Sequence, residues 1–179
     1  MNRAVFLDRD GVLNEPIVRN GKPYPPHRFE DFRLLPGVAE ACAALRNVGF
    51  RLIVATNQPD VGRGEIAREL VERMHSRLCE LLPIDRVEVC YDPGGERSSE
   101  FRKPNPGMLL RAAESLDIDL KSSYMIGDRW RDIDCGYAAG CRTVFIDRGY
   151  CESLREQPDL RATDLLSAAT LILSEAKRY

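Results

Sequence analysis

Five short apolar stretches, Ala4–Leu7, Arg51–Thr56, Val87–Tyr91, Ser123–Ile126 and Thr143–Ile146, alternate with segments whose apolar residues recur at helical spacing. Stretches this short and this continuously apolar are strands buried on both faces. Val38, Ala41, Cys42, Leu45 and Val48 share one helical face, as do Ile66, Leu70, Met74, Leu78 and Leu81, and then Met108, Leu109, Ala112, Ala113 and Leu116. Parallel strands cannot be joined by a tight turn, and each pair needs a crossover long enough to hold a helix. The alternation therefore predicts an α/β fold: an open, mostly parallel sheet with helices on both faces. Pro36 before the first helix and Gly49 after it mark its ends, Gly107 opens the third helix after Pro104 and Pro106, and a last helix is expected over Thr163–Lys177.

A chain of 179 residues suits one well-buried domain, so residues 1–179 are read as a single domain without internal repeat or linker. Lys and Arg total 26 against 28 Asp and Glu, a net charge of −2 that lacks the basic field of a general nucleic-acid binder. Any anion site must be local. No apolar run approaches the roughly 20 residues that span a bilayer, and the start Met1-Asn2-Arg3 runs straight into a strand, so no membrane partner and a cytoplasmic location are expected. The six cysteines form no CxxC pair and fall mostly in core-like segments, which points to buried free thiols. With His27 and His75 the only histidines, chemistry must be sought in oxygen ligands.

In open parallel sheets ligands bind beyond the carboxyl ends of the strands. The first strand runs into Asp8-Arg9-Asp10-Gly11, two carboxylates that would repel unless a cation holds them, and hard oxygen donors suit Mg²⁺. The second ends in Thr56-Asn57-Gln58, a hydroxyl and two amides able to hold an anionic oxygen. Beyond the third comes Arg102-Lys103-Pro104, and the fourth ends in Gly127-Asp128, followed by Asp132 and Asp134. Each signal alone is an ordinary turn or a solvated pair. Their succession at consecutive strand ends, on a fold whose sites lie there, is far more specific. The irregular stretches Glu15–Leu35 and Asp92–Pro106 are candidate walls.

This ordered set resembles the four motifs of the haloacid dehalogenase (HAD) superfamily of aspartate-nucleophile phosphatases, over nearly the whole chain. The strings FLDRDGVLN, ATNQ followed by GRG, FRKPNPGML and MIGDRWRDI are similar to the group of histidinol phosphatases and heptose bisphosphate phosphatases, the latter above all. The resemblance implies a Rossmann-like, Mg²⁺-dependent phosphatase of a small sugar phosphate. It implies Asp8 as nucleophile, Asp10 as acid and base, Thr56 and Lys103 as holders of the transferring phosphoryl group, and Asp8, the Asp10 carbonyl and Asp128 as metal ligands. Arg102, Asn57, Gln58 and Arg129 match substrate-side positions. Asp132 is expected to position Lys103 or the metal's waters, and Trp130 to anchor the core.

Two departures stand out. Heptose bisphosphate phosphatases commonly carry a zinc loop before the RKP stretch, and here Val89–Phe101 keeps only Cys90, so no structural zinc is expected; Pro93-Gly94-Gly95 should make a turn instead. The family's Thr-Asn-Gln-Ser-Gly reads Thr56-Asn57-Gln58-Pro59-Asp60. Fewer than fifty residues separate Thr56 from Lys103, which leaves no room for a cap domain. Access would then fall to the Glu15–Leu35 loop, where Arg19, Lys22, His27 and Arg28 could meet a second anionic group. The competing readings are a phosphatase of histidinol phosphate or another small phosphomonoester, and a catalytically inactive binding protein on the same fold. The intact Asp8, Asp10, Lys103 and Asp128 argue against the last.

Overall fold

The computed structural model describes residues 1–96 and 98–176. Along the chain lie β1 (Arg3–Leu7), β2 (Ile17–Arg19), β3 (Lys22–Tyr24), α1 (Val38–Asn47), β4 (Phe50–Asn57), α2 (Pro59–Gly62), α3 (Arg68–Leu81), β5 (Arg86–Cys90), α4 (Gly107–Leu116), β6 (Tyr124–Gly127), α5 (Trp130–Ala139), β7 (Arg142–Ile146), β8 (Leu160–Ala162) and α6 (Leu165–Ala176). The five expected strands are present with ends moved by about one residue. The helix expected from Ile66 starts at Arg68, and Ile66 reaches the core from the turn before it. The last helix begins at Leu165 because Asp164 caps it, its Oδ1 accepting from the Ser167 N–H at 2.7 Å; the expected end, Lys177, lies outside the described residues.

Six strands form one parallel sheet in the order β5-β4-β1-β6-β7-β8. Alternation along β1 sends Val5 and Leu7 to one face and Ala4 and Phe6 to the other. On the first face Leu52, Val54 and Ile126 pack against α1 and α6 through Ala41, Leu45, Ala168 and Ile172. On the second, Ile53, Ala55 and Met125 meet Met108, Leu109 and Ala112 of α4 and Cys135 of α5. The chain leaves β1 toward β4 and β5, then returns to its other flank at β6. That reversal opens a crevice above the β1 carboxyl end, with Asp8, Thr56 and Asp128 at the ends of three neighbouring strands.

Five elements, β2, β3, α2, α5 and β8, lie beyond the strands and helices that the sequence pattern predicts. Within the Glu15–Leu35 stretch, β2 and β3 form an antiparallel hairpin whose turn residues Asn20 and Gly21 both have positive φ, 51° and 70°. Asn-Gly between two short runs is the strongest local hairpin signal, and it was there to be read. The helix α5 contains Gly136, where a Cβ would come 2.7 Å from the Met125 Cβ of the sheet, so close packing is gained with a residue that blurs the helical pattern in the sequence. The elements α2 and β8 have 4 and 3 residues, too short for periodicity to register. Between Thr56 and Lys103 the chain is occupied by α2, α3, β5 and the connections between them. No helix among the described residues is long and apolar enough to cross a membrane.

Candidate active site

The base of the crevice is an ion cluster withdrawn from water. Lys103, 2% exposed, donates from Nζ to Asp8 Oδ1 at 2.8 Å and to the Ala55 carbonyl at 2.7 Å, and pairs with Asp132 Oδ1 at 2.7 Å. Asn57 fixes the lysine's backbone from both sides: its Nδ2 donates to the Lys103 carbonyl at 3.0 Å and its Oδ1 accepts the Lys103 N–H at 3.1 Å. Asp132 stands in the first turn of α5, where its Oδ2 also accepts the Arg129 N–H at 3.0 Å. Its approach requires Gly127, since a Cβ there would lie 2.0 Å from the Asp132 Cβ. The expectation that Asp132 positions Lys103 describes this contact.

Burial, and after it the Asp132 carboxylate, push the Asp8 acid up to about 6 against the opposing pull of Lys103. The two carboxylates hold the Lys103 ammonium above its ordinary range despite burial. Burial and the charge of Asp8 raise Asp128 well above the usual carboxylate range. Three acids and one ammonium in one dry pocket leave an excess of negative charge that a divalent cation would balance.

Such a cation fits the residues present. Asp128 is 2% exposed, yet neither carboxylate oxygen has a hydrogen-bond partner among the described residues. Asp8, Asp128 and Asp132 each offer an oxygen within 4.8 Å of the others. Gly11 keeps the space open, because a Cβ at its φ of 88° would stand 1.8 Å from Asp128 Oδ2. Asp134, on the same helix as Asp132, takes no part in the cluster.

Asp10 is held separately, from three directions. Arg9 Nη2 donates to both of its oxygens at 3.0 Å, Asn14 Nδ2 to Oδ1 at 2.9 Å, and Gln58 Nε2 to Oδ2 at 2.8 Å. Gln58 Nε2 also donates to Thr56 Oγ1 at 2.9 Å. Sequence reasoning missed Arg9, which is wholly buried, and His75 of α3, whose Nε2 lies 3.1 Å from Arg9 Nη1. Burial and then the guanidinium push the His75 imidazole down to about 3. Nothing in a lone histidine on a helix face announces such a contact.

Above the acids lies a cleft of about 220 Å³ bounded by Asp8, Asp10 and Lys103 below and by Tyr24, Arg63 and Arg131 at its rim. Asn57, Arg102 and Arg129 also line it, whereas Thr56 and Gln58 are buried beside it and meet it only through their neighbours. Arg19, Lys22 and Arg28 are exposed and His27 pairs with Asp60 at 3.5 Å; none of the four lines the cleft. The cations expected from the Glu15–Leu35 loop come instead from Arg63 just after α2, Arg131 of α5 and the two arginines preceding Lys103 and α5, while that loop contributes Pro23, Tyr24 and Pro25. On β3 Pro23 is buried between exposed Lys22 and Tyr24, and the hairpin meets the cleft through its tyrosine and prolines while Lys22 stays in solvent. Arg131 is lowered by burial and by Arg129, as expected of cations crowded around an anion site.

Trp130 is a second correction: it is half-buried rather than a core anchor, held between the guanidinium groups of Arg131 at 4.7 Å and Arg155 at 3.5 Å. In the loop after β5, Asp92 closes the turn, its carboxylate accepting from the N–H groups of Gly94, at 2.7 Å, and Ser99, while its carbonyl accepts from Arg102 Nη1 at 2.6 Å. Cys90 is a buried thiol raised by its burial, and Arg97 of this loop lies outside the described residues.

Comparison with known proteins agrees with this geometry. A HAD-hydrolase-like family model matches residues 100–168. The chain is 38% identical to a D-glycero-D-manno-heptose-1,7-bisphosphate 7-phosphatase of Thermosynechococcus vestitus, covering 94% of each protein, and 36% identical to that of Chlorobaculum tepidum, covering 94% of this chain and 92% of the relative. Among solved structures it matches the D,D-heptose 1,7-bisphosphate phosphatase of B. bronchiseptica, complexed with magnesium and phosphate, with a TM-score of 0.78 at 26% identity over 97% of this chain and 99% of that one. With strand order, acid cluster and near full-length identity in accord, the chain belongs to the D-glycero-D-manno-heptose-1,7-bisphosphate 7-phosphatase family of HAD-like hydrolases.

Proposed function

We propose that residues 1–179 act as one catalytic domain, a Mg²⁺-dependent phosphatase that hydrolyses the 7-phosphate of D-glycero-D-manno-heptose 1,7-bisphosphate. The observation that carries the reading is the convergence of Asp8, Lys103, Asp132 and the unpartnered Asp128 beneath an arginine-rimmed cleft. Lys103 engages Oδ1 of Asp8, leaving the other oxygen to attack phosphorus. The new O–P bond forms as the bond to the sugar oxygen breaks, and Asp10 gives that oxygen its proton. Asp10 then takes a proton from water, which attacks the aspartyl phosphate, regenerates Asp8 and releases phosphate. Lys103 holds the phosphoryl oxygens, the electrostatic stabilisation on which such transfers depend, while Thr56, buried beside the cleft, orients Gln58 through its Oγ1. Asn57 and Gln58 act through their neighbours, the first by fixing Lys103 and the second by linking Asp10 to Thr56.

Asp8, Asp128 and the Asp10 carbonyl would hold Mg²⁺, which when bound lowers the repulsion between an anionic nucleophile and a phosphate dianion. The small cleft and the arginines Arg63, Arg102, Arg129 and Arg131 suit a compact substrate with a second anionic group, which favours the bisphosphate over histidinol phosphate and over a nucleic acid. Phosphate release from both anomers of the bisphosphate and from histidinol phosphate, with Mg²⁺ or with chelator, tests this. Expected is Mg²⁺-dependent turnover with the bisphosphate preferred, lost by about 10³-fold or more in Asp8→Asn. Preference for histidinol phosphate, or turnover surviving in Asp8→Asn, refutes it.

A further inference from the structure

Arg9 lies between the two acids of the DxD motif, and its guanidinium is sealed from solvent. A guanidinium has only donors, five of them, and each one left unpaired in a dry interior is costly. Here Nε and Nη2 face Asp10, at 3.3 Å and 3.0 Å, and Nη1 faces His75 Nε2 at 3.1 Å. Because arginine can only donate, Nε2 is the acceptor, the ring proton sits on Nδ1 and the imidazole is neutral. His75 is 8% exposed on a face shared with Val71, Met74 and Leu78, where an apolar side chain would serve packing alone. A polar ring is needed there only if the orientation of Arg9 matters.

We propose that His75, acting through Arg9, is a positioning residue for proton transfer at Asp10: it pins the guanidinium so that the Asp10 carboxyl points at the leaving oxygen. The inference rests on the acid–base role given to Asp10 above. The other partners of Asp10, Asn14 and Gln58, are neutral amides whose nitrogens also donate elsewhere, Asn14 Nδ2 to the Glu15 carbonyl at 3.1 Å and Gln58 Nε2 to Thr56 Oγ1 at 2.9 Å. Arg9 alone combines charge with a forked grip, and with Nη1 unpaired the fork turns toward a new acceptor and carries the carboxyl away. The proton balance is that of the hydrolysis itself: Asp10 loses its proton as the P–O bond breaks and regains one from the attacking water.

A sugar alkoxide leaves poorly without that proton, whereas p-nitrophenolate needs none, and kcat/KM reports only on steps up to formation of the aspartyl phosphate. The experiment compares kcat/KM for the heptose bisphosphate and for p-nitrophenyl phosphate, with Mg²⁺, in wild type, His75→Leu, His75→Gln and Asp10→Asn. Expected for His75→Leu is a fall of about 30- to 100-fold on the sugar phosphate and less than about threefold on the aryl ester, within the range of general acid catalysis. His75→Gln, whose amide oxygen can accept from Nη1, should recover most of the loss. Equal falls on both substrates, or no fall on either, overturn the proposal while leaving Asp10 as the acid if Asp10→Asn remains selective for the sugar phosphate. An unselective Asp10→Asn overturns the acid role and this inference together. Should His75→Leu not fold, Arg9→Lys, whose single ammonium cannot grip Asp10 and His75 together, is read by the same ratio: a selective loss supports the proposal and an unchanged ratio overturns it.

Discussion

The floor and the rim of the cleft are both built from charged side chains, yet they solve opposite problems. On the floor, Lys103 is 2% exposed and bridges Asp8 and Asp132 at 2.8 Å and 2.7 Å, partners fixed just past the end of β1 and in the first turn of α5. At the rim, the Arg63 side chain is 45% exposed and makes two contacts open to water, with Asp60 at 3.2 Å and with the Pro93 carbonyl at 3.0 Å. A buried ion loses its hydration and must be repaid by fixed partners, whereas a rim ion keeps water and can exchange one partner for another. The floor can therefore be preorganised for chemistry, and the rim can adjust to what the substrate carries.

The comparison can be broken most directly at Lys103. Lys103→Met leaves three buried acids without their cation, and an unfolding free energy lower by about 3–5 kcal/mol at neutral pH in chelator is expected from denaturant titration. A loss below about 1 kcal/mol would mean that the floor is no more coupled than the rim. The pH dependence of stability sharpens the same point at His75. Its folded value of about 3 lies below the ordinary 6.5 of an unfolded histidine, so between those values the unfolded chain binds more protons and stability rises with pH. On acidification the loss begins near pH 6.5 and runs toward pH 3 with a limiting slope of roughly 1.4 kcal/mol per pH unit. The stability profile of His75→Gln should lack that slope, and an unchanged profile would remove His75 from the buried set. The smallest stability effect belongs to Arg63→Ala, expected to change stability by less than about 1 kcal/mol while raising KM for the bisphosphate about tenfold at unchanged kcat. A raised KM that vanishes at high salt would mark Arg63 as a screened rim charge, and a fall in kcat instead would place it with the floor.

The strands that present Asp8, Thr56 and Asp128 were legible because burial on both faces leaves an apolar run that few other structures explain. The DxD, Thr, Lys and Gly-Asp signals were legible because parallel strands put their carboxyl ends on one edge. The hairpin at residues 17–24 went unread although Asn20-Gly21 announced it, and α5 was obscured by Gly136, a residue chosen for contact with Met125 and not for helicity.

The sequence by itself determined the element order, the parallel sheet and which residue types stand at its carboxyl edge, because these follow from local patterning and from the rule that parallel strands need crossovers. Only the tertiary structure decided which of the many arginines reach the cleft, that Asn57 and Gln58 brace catalytic groups, and that a histidine 66 residues from Arg9 holds its guanidinium. Those contacts join side chains far apart in sequence through hydrogen bonds a few ångströms long, and such bonds leave no period in the chain; they exist only once the sheet and its helices have closed around them.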